Sequence, residues 1–171
     1  ESSSADAYLG LGNVHLANGD FDGALKAYER SLALKPRNPL ALCNKGKALK
    51  ELARPEEALA AFDQAIAARP AFFEALNNRG NLLKSQGRLE DALASFRAAI
   101  AAQPNSAAAY KNLGTVLHEL KRYEEALAAY DQSLALAPDL AETHLNRGNT
   151  LRELERFDEA VTCFQHSARL N

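Results

Sequence analysis

Four kinds of residue in this chain have types and spacings that could do chemistry: recurring acids, histidines, cysteines and a row of asparagines. Asp22, Glu56-Glu57, Glu90-Asp91, Glu124-Glu125 and Asp158-Glu159 could serve as paired carboxylates for general acid–base work. Each set opens a helical stretch, however. Acids there complement the positive end of the helix dipole, and they read as helix-start electrostatics on a solvated face. His15, His118, His144 and His166 show no i, i+4 pair and no His-Glu-x-x-His, and Cys43 and Cys163 form no Cys-x-x-Cys, so no metal site is predicted. His15 and His144 stand where sister positions are apolar or aromatic, which predicts core or edge packing. No glycine-rich phosphate loop occurs, and no nucleophile–base pair can be assembled. The chain reads as non-enzymatic, without catalytic residue, metal or cofactor.

The asparagines need a different explanation. Asn44, Asn78, Asn112 and Asn146 recur at one interval, with Gly10 in the first place of the series. Three residues later on the same helical face comes a second row, Asn13, Lys47, Asn81, Thr115 and Asn149. Asparagine is a mediocre helix former because its side chain competes with the backbone. A carboxamide carries an acceptor and a donor group, so it can pair with a peptide C=O and N–H together. A row of them would hold an extended chain by its backbone. The alternative is that the row was copied by repeat duplication, or supports neighbouring helices through hydrogen bonds between repeats. One step further lies a basic row, Lys50, Lys84, His118 and Arg152, beside Glu51, Ser85, Glu119 and Glu153. It either favours acidic segments of a ligand or is solvated and partly neutralised by the adjacent acids.

The elements that position these residues follow from a fixed interval. Gly12, Gly46, Gly80, Gly114 and Gly148 are 34 residues apart, and so are Tyr28, Phe62, Phe96, Tyr130 and Phe164. Ala24, Ala58, Ala92, Ala126 and Ala160 repeat likewise, as do Pro36, Pro70, Pro104 and Pro138. Such a period means stacked copies of one supersecondary unit. The units are 5–38, 39–72, 73–106, 107–140 and a shortened 141–171, together one array over 1–171. Apolar residues recur at three- and four-residue steps, so each unit holds two helices, about ten antiparallel helices in all. In the third unit they run over 73–86 and 89–102, broken at Gly87-Arg88 and stopped before Pro104. The other breaks are Asn18-Gly19-Asp20, Ala53-Arg54-Pro55 and Leu120-Lys121-Arg122. Glycine costs about 1 kcal/mol in a helix interior relative to alanine, so its five-fold recurrence implies close approach of an aromatic ring.

Composition sets further bounds. Apolar residues make up 47% of the chain, enough for a continuous core, and the formal net charge is −2. Nothing draws it bodily to nucleic acid or an anionic membrane. No apolar run reaches the roughly 18–20 residues needed to span a bilayer. The two cysteines read as unpaired thiols of a reducing, cytoplasmic compartment. The absence of methionine and the opening Glu1-Ser-Ser-Ser suggest a piece of a longer protein. The last unit has no polar cap helix, so Val161, Phe164 and Ala168 are expected to present bare outer faces.

A 34-residue helix–turn–helix with these glycine, alanine, aromatic and proline positions resembles the tetratricopeptide repeat, over residues 5 to about 170. The early aromatic of that pattern is Tyr8 and Tyr110 here, but Leu42, Leu76 and His144 elsewhere. The resemblance implies an all-α, right-handed α-solenoid, a superhelix of five stacked helix-turn-helix units. Its concave groove would be lined by the first helix of each unit. It also implies binding of an extended peptide or partner protein without chemistry of its own. The row Asn44, Asn78, Asn112 and Asn146 is similar to an asparagine ladder in the tetratricopeptide arm of O-linked N-acetylglucosamine transferases. A substrate-recruiting arm of a larger enzyme, such as a glycosyltransferase, is therefore an alternative. A self-assembling scaffold, stacked end to end, is another. The carboxylate clamp of some tetratricopeptide co-chaperones does not fit, because Leu9 and Glu74 stand where lysines are needed. The expected groove residues are Asn44, Asn78, Asn112, Asn146, Asn13, Asn81, Asn149, Lys50, Lys84 and Arg152.

Overall fold

The structure is a computed structural model and describes residues 2–170. Its ten helices are α1 (Ser2–Ala17), α2 (Phe21–Leu34), α3 (Pro39–Glu51), α4 (Pro55–Ala68), α5 (Phe73–Ser85), α6 (Leu89–Ala102), α7 (Ala107–Glu119), α8 (Tyr123–Leu136), α9 (Ala141–Glu153) and α10 (Phe157–Leu170). Among the described residues there is no strand, so the fold is all-α. The chain divides into two compact units, Glu1–Leu82 and Leu83–Asn171, with the division inside α5.

In the first unit α1 packs on α2, α3 on α4, and α2 against α3. In the second, α7 packs on α8, α9 on α10, and α6 and α8 lie against α7 and α9 respectively. The recurring glycines explain how each hairpin closes. A Cβ on Gly46 would lie 2.6 Å from Cε1 of Phe62, and one on Gly114 would lie 2.6 Å from Cε1 of Tyr130. Gly148 makes the same approach to Phe164, and Gly12 to Tyr28. The rings of Tyr28, Phe62 and Tyr130 are fully buried where they cover these glycines.

Each hairpin turns through one residue in the left-handed region: Gly19 (φ 76°), Ala53 (55°), Gly87 (73°), Lys121 (59°) and Glu155 (59°). Only two of the five are the glycine that this conformation favours. The helix that follows is started by charge. Asp20 accepts from the Gly23 amide at 2.9 Å to cap α2. Arg54, Arg88 and Arg122 hold the N-cap of α4, α6 and α8 and make no side-chain cap bond there. Instead each guanidinium donates two bonds to the acid three residues on: Arg54 to Glu57 (2.7 and 2.7 Å), Arg88 to Asp91 (3.0 and 2.8 Å), and Arg122 to Glu125 (2.7 and 2.8 Å). Arg156 and Glu159 repeat the fork at the start of α10, both bonds 2.7 Å. These arginine bonds hold the carboxyls of Glu57, Glu125 and Glu159 below the usual range. The acids thus have a named partner beyond the helix dipole.

The open ends of three hairpins are tied by buried serines. Ser31 donates to the carbonyl of Ala5 at 2.8 Å, Ser133 to that of Ala107 at 2.9 Å, and Ser167 to that of Ala141 at 2.9 Å. At the C-terminal hairpin the expected bare face needs one correction. Phe164 is half-buried, because it sits over Gly148, whereas Val161 and Ala168 are exposed.

Candidate functional site

In the first unit the two asparagine rows are cross-linked to each other. Tyr28 Oη donates to Asn13 Oδ1 at 3.0 Å, and Asn44 Nδ2 donates to the same oxygen at 2.9 Å. Lys47 Nζ then donates to Asn44 Oδ1 at 3.0 Å. One chain of bonds thereby joins α1, α2 and α3. It is the inter-repeat support that the alternative reading of the row anticipates, and it occupies the carboxamide oxygens of Asn13 and Asn44. Asn78 reaches from α5 to Cys43 Sγ at 3.9 Å, a weak contact because sulfur is a poor acceptor. Burial pushes the Cys43 thiol up, and both cysteines are free.

The rest of the series behaves differently. Asn81, Asn146 and Asn149 are half-buried, and among the described residues no side-chain partner meets their carboxamides. Asn112 is half-buried on α7 and already has an interaction within the fold. Around Asn146 and Asn149 the neighbours are already satisfied. Thr150 Oγ1 donates to the Asn146 carbonyl at 2.9 Å, and His118 Nδ1 shares a hydrogen bond with the same hydroxyl, also at 2.9 Å. Thr115 donates back to the Lys111 carbonyl at 3.0 Å. Beneath them Tyr130 is buried, and burial pushes its phenol up to about 12.

The basic row is largely neutralised where it can be followed. Lys50 pairs with Glu51 at 2.9 Å and Arg152 lies 3.6 Å from Glu153, both pairs well exposed. Such pairs contribute little and leave little net field for an acidic ligand. Lys84 is half-buried and has no ion pair among the described residues. His118 leaves the row through its bond to Thr150. The other histidines sit at edges, as their positions predict. His15 Nδ1 meets Asp20 at 2.7 Å. His144 bonds the Pro138 carbonyl at 2.8 Å and stacks on His166, with centroids 5.3 Å apart. Among the described residues no group of three His, Cys, Asp or Glu could hold a metal ion, and no helix is long and apolar enough to cross a membrane.

Sequence reading missed two features of this region. The bond between Asn13 and Asn44 runs diagonally, linking different positions of adjacent repeats, and a period alone cannot show it. A second series of ion pairs joins α2 to α3, α4 to α5 and α8 to α9: Glu29 with Lys45 (3.3 Å), Asp63 with Arg79 (2.6 Å) and Asp131 with Arg147 (2.7 Å). The recurring acid and cation were legible there, had they been paired across units.

Comparisons with known proteins bear on the fold. Profiles described as tetratricopeptide repeat match residues 43–106, 78–141 and 141–171, and one described as TPR repeat matches 12–52. No curated protein matches by sequence. Among solved structures, MamA from Desulfovibrio magneticus RS-1 is 24% identical with a TM-score of 0.90, covering 98% of this chain and 94% of that one. PilF of Pseudomonas aeruginosa is 23% identical with a TM-score of 0.88, covering 99% and 77%. YrrB, described as a TPR protein with an unusual peptide-binding site, is 20% identical with a TM-score of 0.83, covering 96% and 84%. At these identities the likeness speaks for the fold, and with the repeat profiles running along its length the chain belongs to the tetratricopeptide repeat family.

Proposed function

We propose that the chain is a protein-interaction module, not an enzyme, which holds an extended peptide by its backbone through asparagine carboxamides. The observation that carries this reading is the half-buried, partnerless pair Asn146 and Asn149 in the second unit. A carboxamide removed from bulk water without a partner is costly, and a peptide C=O and N–H supply what it lacks. Asn13 and Asn44 are assigned to support rather than capture, since their oxygens are already taken. Asn78 and Asn112 belong to the same row by sequence, and Lys84, which has no ion pair among the described residues, is assigned as the assisting cation of the basic row. The free thiols and the lack of a membrane-crossing helix among the described residues fit a cytoplasmic setting.

The test uses peptides selected against the chain from a random display library. Asn146→Ala with Asn149→Ala should weaken capture about thirtyfold, the worth of two net hydrogen bonds, with an unchanged melt. Unchanged capture by the double variant would refute the reading. Asn44→Ala should show the reverse pattern, lost stability with capture retained.

A second reading, end-to-end stacking, has one observation in its favour. Val161 is 53% exposed, whereas Leu127, one repeat earlier, is 6% exposed. On α1, Tyr8 and Val14 are likewise exposed at positions whose counterparts Leu42 and Ala48 are buried. A second copy could bring the two faces together. Sedimentation of the native chain and of Val161→Glu decides it, and a concentration-independent monomer in both removes the idea.

A further inference from the structure

The far ends of the α1–α2 and α7–α8 hairpins are tied in the same way and differ in what surrounds the tie. Ser31 bonds the Ala5 carbonyl at 2.8 Å, and Ser133 bonds the Ala107 carbonyl at 2.9 Å. In the first repeat Lys35 Nζ also meets both carboxylate oxygens of Asp6, at 3.0 and 3.1 Å. The corresponding pair is Leu40 with Arg69 in the second repeat and Glu74 with Gln103 in the third. In the fourth it is Ala108 with Ala137, so both side chains stop at Cβ. A cavity of about 470 Å³ opens there, walled by Ala107, Ala108, Ala137, Leu140 and Ala141. It is of the size that proteins use for small ligands. Ala108 is exposed and the other four are half-buried, so a guest can reach this wall.

The charge at the rim selects the guest. Lys111 pairs with Glu142 at 2.7 Å and is the more enclosed of the two, its side chain 23% exposed against 67%. Asp139 also lines the space, is exposed, and has no ion pair among the described residues. One cation against two carboxylates leaves the rim with a net charge of −1. We infer that this cavity takes the side chain of a lysine on a partner protein, in the place that Lys35 fills in the first repeat. The methylene stem lies on the alanine wall, while the ammonium stays at the wet rim with Asp139 and Glu142, as long cationic side chains do. An acidic guest is repelled there, and a purely apolar one leaves Asp139 unanswered. None of the asparagines of the capture reading lines the cavity, so the two proposals stand or fall independently.

The probes are Nα-acetyl-lysinamide and Nα-acetyl-norleucinamide, the second keeping the stem without the ammonium. Each is titrated into the full chain at low salt while the methyl resonances of Ala107, Ala108, Ala137 and Ala141 are followed by NMR. The lysine amide should give saturable shifts at these methyls and bind about fivefold tighter than the norleucine amide, the upper end for an exposed ion pair. Asp139→Asn leaves Lys111 and Glu142 to cancel. It should remove the preference and leave the norleucine amide's affinity as it was. Ala108→Asp with Ala137→Lys rebuilds the pair of the first repeat, and this double variant, checked for an intact melt, should bind neither amide. The assignment is overturned by any of four results: no saturable shift with the lysine amide, equal affinities in the native chain, a lysine preference that survives in Asp139→Asn, or undiminished binding by the folded double variant.

Discussion

Two glycine-to-alanine changes in this chain should move stability in opposite directions. Gly10 lies in the interior of α1 with nothing within 4 Å of where a Cβ would go. Gly10→Ala therefore collects the helix-propensity gain alone, about 1 kcal/mol. Gly114 lies in the interior of α7, where the new Cβ would stand 2.6 Å from Tyr130 Cε1 and 2.7 Å from Cδ1. Tyr130 is fully enclosed, so the ring cannot swing away and the helix must shift. Overpacking of this kind costs about 1–3 kcal/mol, which meets or exceeds the propensity gain. The two variants should thus differ by about 1–3 kcal/mol. For a chain of this length that separates their melting temperatures by about 2–12 °C, with Gly10→Ala the higher. Tyr130→Ala deletes Cδ1, Cε1 and Cζ, and in that background Gly114→Ala should recover the gain seen at Gly10. The readout is thermal and urea unfolding followed by circular dichroism. Gly114→Ala stabilising as much as Gly10→Ala would refute the account of why glycine recurs.

Two further outcomes follow from the hairpin turns and the buried rings. Lys121 holds a left-handed φ of 59°, so Lys121→Gly should raise stability by about 0.5–1 kcal/mol, read by urea midpoint, while the same change at exposed Lys50 inside α3 should lower it by a similar amount. Burial pushes the phenols of Tyr28 and Tyr130 up to about 12, from the ordinary 10. A raised phenol is retained as the neutral form in the folded chain, so stability is full below pH 10 and falls as pH rises from 10 towards 12. Ultraviolet titration should show two tyrosines ionising late and together with the loss of helix, and five tyrosines titrating near 10 in folded protein would contradict their enclosure.

Much of the fold was legible because a repeat prints the same physics five times. The interval of Gly46, Gly114 and Gly148 with their rings named both the helices and their contact, and the structure places ring over glycine at each. The arginine forks were half legible. Glu57, Glu125 and Glu159 were recognised as helix-start acids, yet the arginine three residues before each was not read as their partner. The candidate site was less legible, because a row of identical residues does not have identical surroundings. Asn44 has a lysine one turn on and an asparagine on the preceding repeat, and both bond it. Asn146 has the same type at the same position, and its neighbour Thr150 instead spends its hydroxyl on the backbone. Side-chain bonds depend on which residues meet across repeats, and periodicity averages that information away.

The buried serines have a consequence for how the hairpins open. Ser31, Ser133 and Ser167 tie the end of one helix to the start of its partner, so these hairpins are closed at the turn and again at the far end. The hairpin of α3 and α4 carries Ala65 at this position, fully buried but with no hydroxyl to give. Its far end is held by packing alone. In deuterated water the first amides of α3 should therefore exchange ahead of those of α7 and α9, whose hairpins carry the serine tie.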